Sequence, residues 1–112
     1  MAEHFNGEEN ETEVIVETCC MYRFDKESKV WKEKGHGALK ILKHNSKLQY
    51  RIVMRRDQVL TLCANHLMTT DMTFTPISNS NKSFCYWALD YSEEEGKVEF
   101  LAIKFNKKEK SE

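Results

Sequence analysis

Tyr50-Arg51-Ile52-Val53-Met54-Arg55 alternates cleanly along the chain. In an extended strand successive side chains leave on opposite faces, so Tyr50, Ile52 and Met54 share one face and Arg51, Val53 and Arg55 the other. Apolar Ile52 and Met54 belong to a core. The arginines belong to a surface.

Working outward, Ala38–His44 reads as a partner strand, joined to 48–55 by the hairpin loop Asn45-Ser46-Lys47. Arg56-Asp57-Gln58 is the next turn. Val59–Ala64 is too short for periodicity to separate strand from helical turn. Upstream, 19–24 is a strand with Cys20, Tyr22 and Phe24 on one face, followed by a turn over 25–29 and a short extended run from Val30 to Glu33. Gly35 and Gly37, flanking His36, mark a bulge or a close approach. Downstream, 72–75, Ser83–Tyr91 and Val98–Phe105 complete about seven short strands, the pattern of an all-β barrel or sandwich. Residues 1–13 read as an acidic, flexible arm, and 14–112 as one domain.

The 112 residues carry a net charge of −1, which hides an asymmetry. Residues 1–17 hold six glutamates and no Lys or Arg. Residues 31–66 hold eight bases against Glu33 and Asp57. A basic middle fits an acidic partner, although strand surfaces are commonly basic as well. No apolar run is long enough to span a membrane, and no secretory leader is expected. The four cysteines lack CxxC spacing, which points to free thiols in a reducing compartment, with Cys63 and Cys85 buried. No phosphate-binding, nucleophile-elbow or zinc-protease motif is present, and the histidines and cysteines lack metal-site spacing. An enzyme, a metal site and a cofactor therefore have no residues behind them. Nucleic acid is disfavoured by the net charge and by the lack of stacking aromatics on the basic strand.

Four segments resemble one family. Trp31-Lys32-Glu33-Lys34-Gly35-His36-Gly37 is similar to the Trp-Lys-Glu-Arg-Gly-x-Gly signature of Ran-binding domains. The run from Arg51 to His66 closely matches that family's longest shared block. Leu101-Ala102-Ile103-Lys104-Phe105 resembles its closing strand, and Tyr22-Arg23-Phe24-Asp25 its opening one.

The resemblance implies a mainly β, pleckstrin-homology-like fold: a seven-stranded, two-sheet barrel with a C-terminal capping helix. In this sequence that helix is expected to be truncated or absent. The resemblance also implies binding to the GTP-bound form of the small GTPase Ran, embracing its C-terminal extension. Co-stimulation of hydrolysis driven by Ran's GTPase-activating protein follows from it, in nuclear transport at the cytoplasmic side of the pore. It implies contacts from Trp31, Lys32, Glu33, Lys34, Arg51, Arg55, Arg56, Asn65 and His66, and secondarily from Val14, Ile15, Lys40 and Asp57. Trp31 reads equally as contact or core. Asn65 reads as a cap or turn, His66 as making a local hydrogen bond, and Asp57 as ordering its turn. Arg55 and Arg56 are consecutive, so serving one ligand together would need a bulge. Three alternatives remain: an adaptor that also holds an export receptor, a phosphoinositide-binding module using Lys26, Lys29, Lys32 and Lys34, and a proline-rich-peptide binder using Tyr86 and Trp87.

Overall fold

In a computed structural model, residues 10–77 and 82–105 are described. Seven strands run in chain order: β1 (Glu11–Asp25), β2 (Val30–His44), β3 (Tyr50–Arg56), β4 (Leu62–Met68), β5 (Thr75–Pro76), β6 (Ser83–Asp90) and β7 (Lys97–Phe105). All are paired antiparallel in the order β4-β3-β2-β1-β7-β6-β5. No helix occurs among the described residues, and the expected capping helix falls on 106–112, outside them.

The two-sheet character comes from β1 and β2, each 15 residues long. The first half of β1 pairs with the second half of β2, and that part of β2 carries β3 and β4 on its other side. The second half of β1 pairs with the first half of β2 and, over Cys19–Arg23, with β7 on its other side, which carries β6 and β5. One long hairpin thus serves two sheets. Register shifts mark its bends: Val14 is the extra residue in β1, and Lys34 is the extra residue in β2 opposite Met21 and Tyr22. A third shift makes Cys63 the extra residue in β4. Bulges add twist and let a sheet curl on itself. The curl closes between the β4 and β6 ends, where the Tyr91 N–H donates to the Asn65 carbonyl at 2.7 Å.

The core lies inside the curl. Cys19, Met21, Leu39, Ile52, Met54, Cys63, Ala64, Tyr86, Ala88, Leu101 and Ile103 form one buried cluster. Ile52 and Met54 are core, as the alternation requires. Cys20, Tyr22 and Phe24 share one face of β1, as expected; the core face is the other one, with Cys19 and Met21. Val59–Ala64 resolves into a turn followed by β4. β1 starts at Glu11, so the sheet reaches into the stretch read as arm, while residues 1–9 lie outside the described part. Burial raises the Cys63 thiol and pushes Cys19 up to about 12, so both stay protonated. Cys85, expected to be buried as well, is only partly covered.

Gly37 is the close approach foreseen between β2 and β3. A Cβ there would stand 2.1 Å from the Arg55 carbonyl oxygen, a backbone atom that pairing holds in place. Gly37→Ala should lower stability by about 2–3 kcal/mol through overpacking, visible as a lower urea midpoint with an unchanged m-value.

Candidate functional site

The sheet register gathers the sequence's basic residues on the outer face of β1–β4. Paired residues leave on the same side of a sheet. One row therefore runs Thr18–Ala38–Arg55–Leu62, the next Val16–Lys40–Val53–Asn65, and the next Glu13–Leu42–Arg51–Leu67. Lys40, Arg51 and Arg55 share this face. Arg56, one residue on, pairs with Gly37 and turns to the other side.

The chain's own acids already touch this face. Glu11 grips Arg51 as a bidentate pair, with the Arg51 Nε and Nη2 donating at 2.8 and 2.7 Å. The Glu11 side chain is only 5% exposed. Arg51 also donates to the Asn65 side-chain oxygen. Lys40 meets Glu13 at 2.9 Å, a half-exposed pair that solvent screens strongly. Beside these charges Val16 stands exposed on β1 and Leu67 on β4; Val14, the bulge residue, and Ile15, which pairs with core-facing Ile41, are exposed near the start of β1.

A second group surrounds the barrel mouth, in an open cleft of about 690 Å³. Here the structure departs from the sequence expectation at two positions. Lys34, read as an exposed contact, is turned inward by the β2 bulge, and its Nζ donates to Asp90 at 3.4 Å and to Ser92 at 3.3 Å. His66, also read as a contact, is buried: its Nδ1 donates to Asp90 at 2.6 Å, and its Nε2 lies 2.9 Å from the Tyr86 hydroxyl. As placed, neither side chain faces a docking partner. The local bond anticipated for His66 is present. Asp90 accepts two backbone N–H groups as well, from Asn65 and Ser92. Burial alone would raise its carboxyl, but the bonds from His66, Ser92 and Asn65 and the Lys34 charge outweigh burial and hold it well below the ordinary range.

Arg56 braces the mouth. Its Nε donates to the Lys34 carbonyl at 2.8 Å, and its Nη1 donates to Thr61 and to the Leu62 carbonyl. Arg55 donates to the Leu60 carbonyl at 3.2 Å. The bulge that one shared ligand would need at Arg55 and Arg56 falls in β4 instead, so the two arginines serve different faces. Asp57 meets His36 Nδ1 at 2.8 Å besides ordering its turn through its backbone. Asn65 is neither cap nor turn: it lies within β4 and ties Arg51 to the barrel closure.

At the start of β2, Trp31 is 39% exposed and packs on Phe24 and Phe100, so it is a surface ring with a packed edge. Lys32 is half exposed and paired with Asp25 at 3.2 Å. Hydrogen bonds from Ser28 and Lys32 lower Asp25 to about 2. Glu33 is exposed. No group of three or more His, Cys, Asp or Glu is placed to hold a metal among the described residues. The mouth cleft is lined by seven carboxylates against five Lys and Arg, the wrong balance for a phosphoinositide headgroup.

The arrangement sets cations on a twisted sheet face, with exposed Val16 among them and a buried hydrogen-bonded network behind. A model of the RanBP1 domain matches residues 3–112. The chain belongs to the RanBP1 domain family. It is 48% identical over 105 residues to human E3 SUMO-protein ligase RanBP2, a match covering 94% of this chain and 3% of that protein. It is 45% identical to human RanBP2-like and GRIP domain-containing protein 4, covering 94% and 6%. The chain thus spans a small fraction of the length of these relatives. Its fold matches the Ran-binding domain of the nuclear complex component Nup2 from Ashbya gossypii, with TM-score 0.74, 23% identity, and 88% and 84% of the two chains covered.

The segments that carried the resemblance have clear places in this RanBP1 domain. Trp31–Gly37 is the first half of β2, 51–66 spans β3 to mid-β4, and 101–105 ends β7. Reading the sequence missed Glu11 as the partner of Arg51, Val16 and Leu67 as exposed neighbours, and Lys34 as an interior cation. The run Val14-Ile15-Val16 was the available signal for Val16. Nothing local marks the pairing of Glu11 with Arg51, because the two meet only once the register is set.

Proposed function

We propose that this chain binds the GTP-bound form of Ran, with the outer face of β1–β4 receiving the acidic end of Ran's C-terminal extension. The observation that carries this is the alignment of Lys40, Arg51 and Arg55 on one sheet face beside exposed Val16. Membership of the RanBP1 domain family supports it. Asn65 holds Arg51 in position. Trp31, Lys32 and Glu33 form a second contact patch. Lys34 and His66 act behind the surface, and Arg56 and exposed Asp57 beside it, by fixing the strands and the turn after β3.

The preference for GTP follows from differential contact. A binder favours a state only through surface that this state offers and the other withholds. In the GTP form the extension is released and can be captured, so the domain need not touch the nucleotide. Holding the extension away from the GTPase core would also ease hydrolysis driven by the activating protein, with the domain supplying no catalytic group. The place of action would be the nuclear pore.

Calorimetric titration with Ran carrying a non-hydrolysable GTP analogue, then with the GDP form, tests the reading. Binding to the GTP form alone, weakening between low and moderate salt, is expected, because exposed charges are screened over about 8–10 Å at such ionic strengths. Absence of binding to both forms by the folded chain would remove the assignment. If the chain leaves activating-protein-driven hydrolysis unchanged while still binding, only the co-stimulation falls.

A further inference from the structure

The second sheet carries a row of rings on its outer face, of which the Ran reading uses only Trp31. Trp87 on β6 pairs with Phe100 on β7, and Phe24 on β1 pairs with Trp31 on β2. The adjacent pairing of Arg23 with Leu101 sets Phe24 beside Phe100. The rings therefore cross four strands in one line. Trp87 stacks on Phe100 at 4.8 Å and 27°, and Phe24 meets Phe100 edge-on at 6.4 Å. Trp31 stands 5.3 Å from both phenylalanines. Trp87 is 56% exposed, and Leu89 and Val98 extend the apolar surface beside it. A contiguous exposed patch of this kind marks an interaction surface.

Two polar features specify the occupant. Neither indole N–H has a hydrogen-bond partner among the described residues, so two exposed donors that bind only water stand beside the ring surface and can turn to an incoming acceptor. Glu33, two residues from Trp31 and on the same face, has no ion-pair partner among the described residues. A polyproline II segment matches both features. It has no internal hydrogen bonds, so its carbonyls are free to accept, and its rings lie flat in aromatic slots. A flanking Lys or Arg would meet Glu33. We propose that the row Trp87–Phe100–Phe24–Trp31 is a docking site for a proline-rich peptide in polyproline II conformation with a basic residue beside its prolines.

The chain has two tryptophans, and both lie in this row, so emission excited selectively at tryptophan reports on the site. An arginine-flanked peptide with repeated Pro-Pro-Leu-Pro, titrated into the chain, should give a saturable blue shift. Its Pro→Ala counterpart should give none. Trp87→Ala should weaken the peptide about tenfold or more, as for an exposed anchor ring, with the urea midpoint near wild type because the side chain is half exposed. Glu33→Gln should weaken it about threefold. Emission unchanged up to about 1 mM peptide, the affinity floor of a specific site, would overturn the proposal. So would an equal response to the Pro→Ala peptide. A shift that follows protein concentration without peptide would overturn it in favour of a second copy of this chain.

Discussion

Asp90→Ala is expected to destabilise this domain by about 3–5 kcal/mol, the cost of stripping the partner from a buried charge. That is a large part of the roughly 5–15 kcal/mol available to a domain. The Asp90 side chain is 1% exposed and the Lys34 side chain 9%. Removing the carboxylate leaves the His66 Nδ1–H and the Asn65 and Ser92 backbone N–H groups without an acceptor at once, and leaves the Lys34 ammonium with the Ser92 hydroxyl and no counter-charge. These groups join β2, β4 and the β6 end, so the barrel closure goes with them. Urea unfolding followed by circular dichroism checks it. Lys34→Met should cost clearly less, because the Lys34 contact at 3.4 Å is the longest of the four and Met keeps the buried stem. Equal losses would mean that charge pairing, and not the convergent donors, carries the closure. A wild-type midpoint for Asp90→Ala would refute the account outright.

The same group sets an acid dependence. The folded carboxyl is held well below its unfolded value, so Asp90 contributes stability that is fully present above the ordinary carboxylate range. As pH falls below that range the unfolded chain takes up the proton first, and the contribution declines until the folded value is passed. Stability should therefore fall from about pH 4 downward, and Asp90→Ala should flatten that slope.

How much of this was legible in the sequence depends on the range of the physics involved. Strand alternation is local, so β3 and its core residues Ile52 and Met54 could be read from six residues. Gly37 was legible as a close approach because glycine within a strand has few other uses. The inward turn of Lys34 was not. A bulge is set by the pairing of two strands, and in a strand read alone Lys34 looks like any exposed lysine. The core face of β1 was not legible for a related reason: Cys20, Tyr22 and Phe24 form as good an apolar stripe as Cys19 and Met21. Only β7, docking through Ile103 and Leu101, chooses between them. Phe24 and Tyr22 thus lie outside, where an apolar pattern alone would not put them. The bidentate grip of Glu11 on Arg51 joins residues 40 apart, and charge asymmetry hints only that such pairing is available.

The combined change Lys40→Glu and Arg55→Glu should weaken Ran-GTP binding by about 100-fold or more. Close interfacial charge pairs couple by about 1.5–7 kcal/mol, and 1.4 kcal/mol is tenfold. Reversal at Arg51 would be a poorer test, because it would set a second carboxylate against nearly buried Glu11 and unfold the strand edge. Lys40 and Arg55 flank that pair without sharing it. The loss should fall mainly on the association rate and shrink as salt rises, since the exposed cations steer the encounter. Glu13 supplies the discriminating control. It occupies Lys40 in the free domain at 2.9 Å, so an incoming acidic segment has to displace it. Glu13→Gln should then strengthen binding by about two- to threefold, as release of a half-exposed pair allows. A reversal that weakens binding together with a Glu13→Gln that strengthens it places the acidic segment on this face. If Glu13→Gln weakens binding instead, Glu13 is itself a contact and the cations are held for it. If the double reversal binds like wild type, the acidic extension docks elsewhere and the basic face is only a solvated strand surface.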